Sequence, residues 1–62
     1  MSNTVDIACT IQHETDDAIL IEVADEEFWI PFSQVSKLRR GQNGASDQVT
    51  MTEWIATQKG IV

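Results

Sequence analysis

His13 is the only histidine and Cys9 the only cysteine in this 62-residue chain, so chemistry is sought there first. Nucleophilic catalysis needs a hydroxyl or thiol within hydrogen-bond reach of a base, and a third group that orients the base. No serine or cysteine stands at a recognisable spacing from His13, which begins the polar run His13-Glu14-Thr15-Asp16-Asp17. Cys9, His13, Asp16 and Asp17 are residue types that ligate divalent metals. Cys9, however, falls on the inward phase of an apolar alternation and reads as a small core hydrophobe. The acidic runs also lack the spacing of a calcium-binding EF-hand loop. The chain therefore reads as a protein that is not an enzyme and that has neither a metal site nor a cofactor.

What remains chemically active is charge. Ten acidic residues face four basic ones, for a formal net of −6. Residues 1–27 hold eight carboxylates and no cation (−8), while residues 28–62 hold four cations and two carboxylates (+2). A field of that sign repels phosphate backbones, so broad nucleic-acid binding is disfavoured and a basic partner is favoured. Glu14, Asp16 and Asp17 form one acidic turn, and Asp25, Glu26 and Glu27 form another. The two turns bracket a strand about 20 Å long. B-DNA carries about 12 phosphate charges over that length, so the carboxylates would supply at most a sparse copy of it.

Lys37, Arg39 and Arg40 make the one basic patch, next to the aromatic stretch Phe28-Trp29-Ile30-Pro31-Phe32. With Trp29 as a stacking platform, these three cations form the alternative reading, an accessory single-stranded nucleic-acid binder on a small β-barrel. Three cations are few for that task. The expectation for Trp29 is that it packs beneath Trp54 and the C-terminal helix, with the arginines solvated or paired to the acidic turns. An exposed Trp29 would instead anchor a protein partner or a second copy of this chain.

The elements that must carry these residues are short. Val5, Ile7, Cys9 and Ile11 alternate with Asp6, Ala8, Thr10 and Gln12, the period of a half-buried strand. Ala18-Ile19-Leu20-Ile21-Glu22-Val23-Ala24 is rich in β-branched residues and apolar on both faces, which predicts a central strand. Phe28 to Phe32 resumes alternation until Pro31, which lacks an N–H and favours a strand edge or end. Ser33 is expected to cap a helical or 3₁₀ turn through Ser36, with Val35 and Leu38 pointing inward. Residues 40–47 read as a flexible loop, and Gln48 to Met51 as a fourth strand. Thr50-Met51-Thr52-Glu53 fits a capping box for a helix ending at Lys59-Gly60. The fold class is mainly β: one small domain over 1–62, an antiparallel sheet or SH3-like barrel of about four strands with a short C-terminal helix. A single cysteine excludes an internal disulfide. With no secretory signal pattern and no 18-residue apolar run, a cytoplasmic protein without a membrane span is expected.

These residues also carry a resemblance. Ala18-Ile19-Leu20 leading to Trp29-Ile30-Pro31-x-Ser33-Gln34, followed by Glu53-Trp54-Ile55-Ala56 and Lys59-Gly60, resembles a short domain common in bacteriophage and prophage genomes. It covers about residues 14–62. Phe32 stands where that domain usually has lysine, which removes one basic contact. The resemblance implies a phage or mobile-element origin and, for so small and acidic a chain, an inhibitor of host defence such as an anti-CRISPR protein. The expected partner is a host protein with a basic surface, bound through Glu14, Asp16, Asp17, Asp25, Glu26, Glu27 and Trp29, with occlusion of a nucleic-acid-binding site as the mechanism.

Overall fold

The structure, a computed structural model, describes residues 3–62. It is mainly β, as the alternation predicts: one antiparallel sheet of five strands with a single short helix at the C-terminal end. In chain order these are β1 (Thr4–Glu14), β2 (Ala18–Val23), β3 (Glu26–Pro31), β4 (Val35–Arg39), β5 (Asp47–Thr52) and α1 (Glu53–Gln58). The strand order across the sheet is β3-β2-β1-β5-β4.

The curvature follows from β1 and from one short connection. β1 is long enough to serve two ladders: Thr4–Cys9 pair with β5, and Thr10–Glu14 pair with β2. The register shifts between Ile11 and His13, and such a bulge bends a strand and increases its twist. The edge strands β3 and β4 are joined by only the 3₁₀ turn Phe32–Gln34. Flat, the five strands would put those edges about 19 Å apart, more than the roughly 14 Å that four residues can span. The sheet must therefore curl until its edges approach at that end, as a partly open barrel.

The core fills the inside of this curl. Ile7 and Cys9 from β1, Ile19 and Ile21 from β2, Ile30 from β3 and Val49 and Met51 from β5 are buried, and α1 adds Ile55 and Ala56. Phe28, Phe32, Val35 and Leu38 pack against them. Cys9 is a free thiol within this core. Burial, and then the nearby Asp47 carboxylate, push its pKa up, which keeps it in the unreactive thiol form. The small-hydrophobe reading of Cys9 holds.

Four local expectations are corrected. The Ser33–Ser36 turn is a 3₁₀ turn over Phe32–Gln34, begun by Pro31 without a side-chain cap, and Val35 already starts β4. The helix cap is Thr52, not Thr50: its hydroxyl accepts from the N–H of Ile55, which leaves Glu53 as the first helical residue. The second acidic run is not all turn. Ala24 and Asp25, with φ of 52° and 67°, make the two-residue hairpin, and Glu26 and Glu27 belong to β3. β2 is paired on both sides, but its outward side chains Leu20 and Glu22 are only half-buried, so it is not covered on both faces. The end of α1 is as predicted: the N–H of Ile61 donates to Ala56 and that of Gly60 to Thr57. Gly60 takes φ 75°, completing the reverse-turn cap that favours glycine.

Candidate functional site

The outer face of β1, β2 and β3 carries Trp29 and Glu27 of the residues singled out by charge and aromaticity. Leu20 pairs with His13 on one side and with Trp29 on the other, so the three form a row across the strands. Trp29 is 44% exposed and meets His13 edge to face, with ring centroids 6.2 Å apart. It does not lie beneath Trp54, which is itself 61% exposed. The alternation of β3 decides this. Ile30 is fully buried and Phe28 packs on the core, so Trp29 between them must face out.

One pair along the same face is carboxylate against carboxylate. Glu22 lies directly opposite Glu27 in the β2–β3 ladder, an arrangement that weakens a sheet. Glu22 accepts a hydrogen bond from the Gln12 amide at 3.2 Å. Asp25 and Glu26 lie at the hairpin beyond, exposed. At the other end of β2, Thr15 organises the β1–β2 turn: its hydroxyl oxygen accepts from the N–H groups of Asp17 and Ala18. That hydroxyl in turn donates to the Ala18 carbonyl. The closed turn leaves the Asp16 and Asp17 side chains exposed.

The six carboxylates named from the sequence are thus not one cluster. Glu14 is the acid of the one ion pair among the described residues, held by Arg40. Asp16 and Asp17 stand in the turn at one end of β2 and Asp25 in the hairpin at the other, Glu27 shares the outer face with Trp29, and Glu26, opposite the core-packed Val23, lies at the rim of the inner face. Glu22 was not among the site residues expected. In the sequence it shows only as the one charged residue of an otherwise apolar strand, and the ladder then places it against Glu27.

The basic patch is divided. Arg40 reaches Glu14, as pairing to an acidic turn predicts. Lys37 and Arg39 point outward from β4 into a shallow depression of about 130 Å³, shared with Asp6, Gln48 and Thr50. Asp6 there accepts a hydrogen bond from the Thr50 hydroxyl. Trp29 does not line this depression.

Asp47 is a second residue whose role the sequence did not signal. It sits opposite Cys9 at the start of β5. Its carboxylate accepts from the N–H of Ile11 at 2.8 Å and of Gly41 at 2.7 Å, tying the bulged part of β1 to the loop before β5. The bond from Ile11, then that from Gly41, with a smaller attraction from Arg40, hold its pKa below the usual value against a partial loss of hydration. Gly41 is needed there, because a Cβ would stand 2.0 Å from the Ala45 carbonyl oxygen.

No group of three or more metal-ligating side chains is assembled among the described residues. No helix among them is long and apolar enough to cross a membrane. No family model, curated protein or solved structure matches this chain.

Proposed function

We propose that this chain is a non-enzymatic interaction protein whose acidic outer face seats on a basic surface of a host protein and blocks nucleic-acid binding there. The observation that carries the reading is the half-exposed Trp29 beside the opposed Glu22 and Glu27, with further exposed carboxylates at both ends of β2. Aromatic side chains anchor interfaces, and carboxylates around them select a cationic partner and speed its approach. A like-charge pair facing across two strands costs stability in the free protein. Lysines or arginines of a partner would relieve it.

The resemblance to a bacteriophage and prophage domain makes a host defence complex the expected partner class, in the manner of an anti-CRISPR protein acting in the host cytoplasm. Against the rival reading as a single-strand binder, the cations are split between a depression shared with Asp6 and an ion pair with Glu14.

The test is charge reversal of Asp16, Asp17, Asp25 and Glu26 together. Capture of the host partner, and competition with its nucleic acid, should collapse while the far-ultraviolet spectrum is kept. Unchanged affinity would reduce the acidic face to a solubility device. Titration of labelled single-stranded DNA at low and rising salt tests the rival, which requires binding that weakens steeply with salt.

A further inference from the structure

A second concavity, lined by none of the residues of the acidic face, lies where α1 begins against the 3₁₀ turn. It is an open groove of about 610 Å³, within the range of small-molecule sites. Trp54 lines it, 61% exposed, although its neighbours Ile55 and Ala56 are buried. What sets this indole apart from a singly exposed side chain is that it forms part of the wall of a concavity, together with convergent polar groups.

The remaining wall is hydrogen-bonding and almost wholly uncharged. Asn3, Gln34, Thr57 and Gln58 present amides and a hydroxyl, and Glu53 is the single charged group. Thr52 fixes the direction of one amide. Its hydroxyl oxygen already accepts from the N–H of Ile55, so its proton must go to an acceptor, and it donates to Oε1 of Gln34 at 2.7 Å. The amino group of Gln34 is thereby left as a donor. The backbone beside it is also held, since the N–H of Glu53 donates to the Asn3 carbonyl at 2.9 Å.

This lining excludes several ligand classes. An anion would meet Glu53 and no lysine or arginine on a chain of net charge −6. A purely apolar ligand would strip water from four amide or hydroxyl side chains and give nothing back. A cation would find one aromatic ring rather than a cage. A neutral polyhydroxylated ring satisfies every feature. Its C–H face lies on the electron-rich indole, and each hydroxyl both donates and accepts, as the amides do. Glu53 adds an acceptor for a hydroxyl pair. We propose that the groove is a binding site for a neutral saccharide, with a pyranose ring stacked on Trp54 and Gln34 and Glu53 holding its hydroxyls.

Trp29→Phe leaves Trp54 as the only indole, so its emission reports on the groove alone. In that background the full chain is titrated with cellotriose, chitotriose and maltotriose, each to about 50 mM, roughly five times the weakest Kd expected. At least one should give a saturable shift with a Kd of about 0.1–10 mM that salt does not change. Followed by amide NMR, Trp54→Ala should abolish the binding with the melting temperature unchanged, because Trp54 is exposed, and Gln34→Ala should weaken it several-fold. Charge reversal at Asp16, Asp17, Asp25 and Glu26 should leave it intact, which separates this site from the acidic face. No saturable shift with any of the three sugars overturns the proposal. So does binding that survives Trp54→Ala, or emission that responds to a proline-rich peptide but to no sugar.

Discussion

At the scale of single residues, the most consequential side chain is one that the sequence leaves anonymous. Asp47 is one of ten acids in the list, yet it alone bridges two backbone segments 36 residues and 6 residues away. Its lowered pKa fixes the sign of the pH dependence. A carboxylate stabilised in the folded state contributes fully above its unfolded value near 3.8, and that contribution is lost as pH falls through the lower folded value. Asp47→Asn keeps one acceptor and puts a donor where the second was. Thermal melts should therefore show the variant less stable than the parent above about pH 5, with the gap closing as acid protonates the parent. A gap independent of pH would mean that the carboxylate charge plays no part. Ala24 offers the opposite case. Only small penalties attach to Asn or Gly at φ 52°, whereas alanine is strained there. Ala24→Asn should raise urea-unfolding stability by about 1 kcal/mol.

At the scale of elements, β4 shows how a bulge hides a strand. Val35 and Leu38 both point inward although they are three positions apart, because the register shifts between Val35 and Lys37. An odd spacing on one face imitates a helical turn, which is how the segment reads before its pairing is known. Elsewhere alternation is regular and legible: β1 up to Ile11 and all of β3 follow period two, and Gly60 marks the helix end. The β2–β3 hairpin is the element on which stability and binding pull apart. Glu27→Lys exchanges a like-charge pair with Glu22 for an opposite one. It should stabilise the sheet by about 0.2–1 kcal/mol in denaturant titrations, and it should weaken capture of the basic partner in the same preparation. Gains in both would remove Glu27 from the interface.

At the scale of the whole molecule, a small core makes every buried side chain count. A domain of this length holds roughly 3–9 kcal/mol of stability. Met51 is fully buried and lies between the β1 and β4 ladders, opposite Val5 and Val35. Met51→Ala removes about 2–5 kcal/mol, a large share of that total. Thermal melts followed by circular dichroism should show a midpoint lowered by about 10 °C or more. A variant that melts within a few degrees of the parent would mean that the core repacks around the gap. The surface divides just as clearly. One side of the sheet carries Trp29 among carboxylates, the other half carries Lys37 and Arg39 around a depression, and Trp54 lines a groove whose single charged group is Glu53.

What the amino-acid order determined by itself was local: a mainly β chain, an inward Cys9, a break at Pro31, a capped C-terminal helix and an acidic first half. Side-chain alternation and terminal capping act over two to six residues, so they can be read without a partner strand. What only the tertiary structure decided was which way Trp29 and Trp54 face, that Glu22 stands against Glu27, that Arg40 belongs to Glu14, and that Asp47 ties β1 to a loop. Each of those depends on register and on the curl of the sheet, which join residues that sequence distance keeps apart.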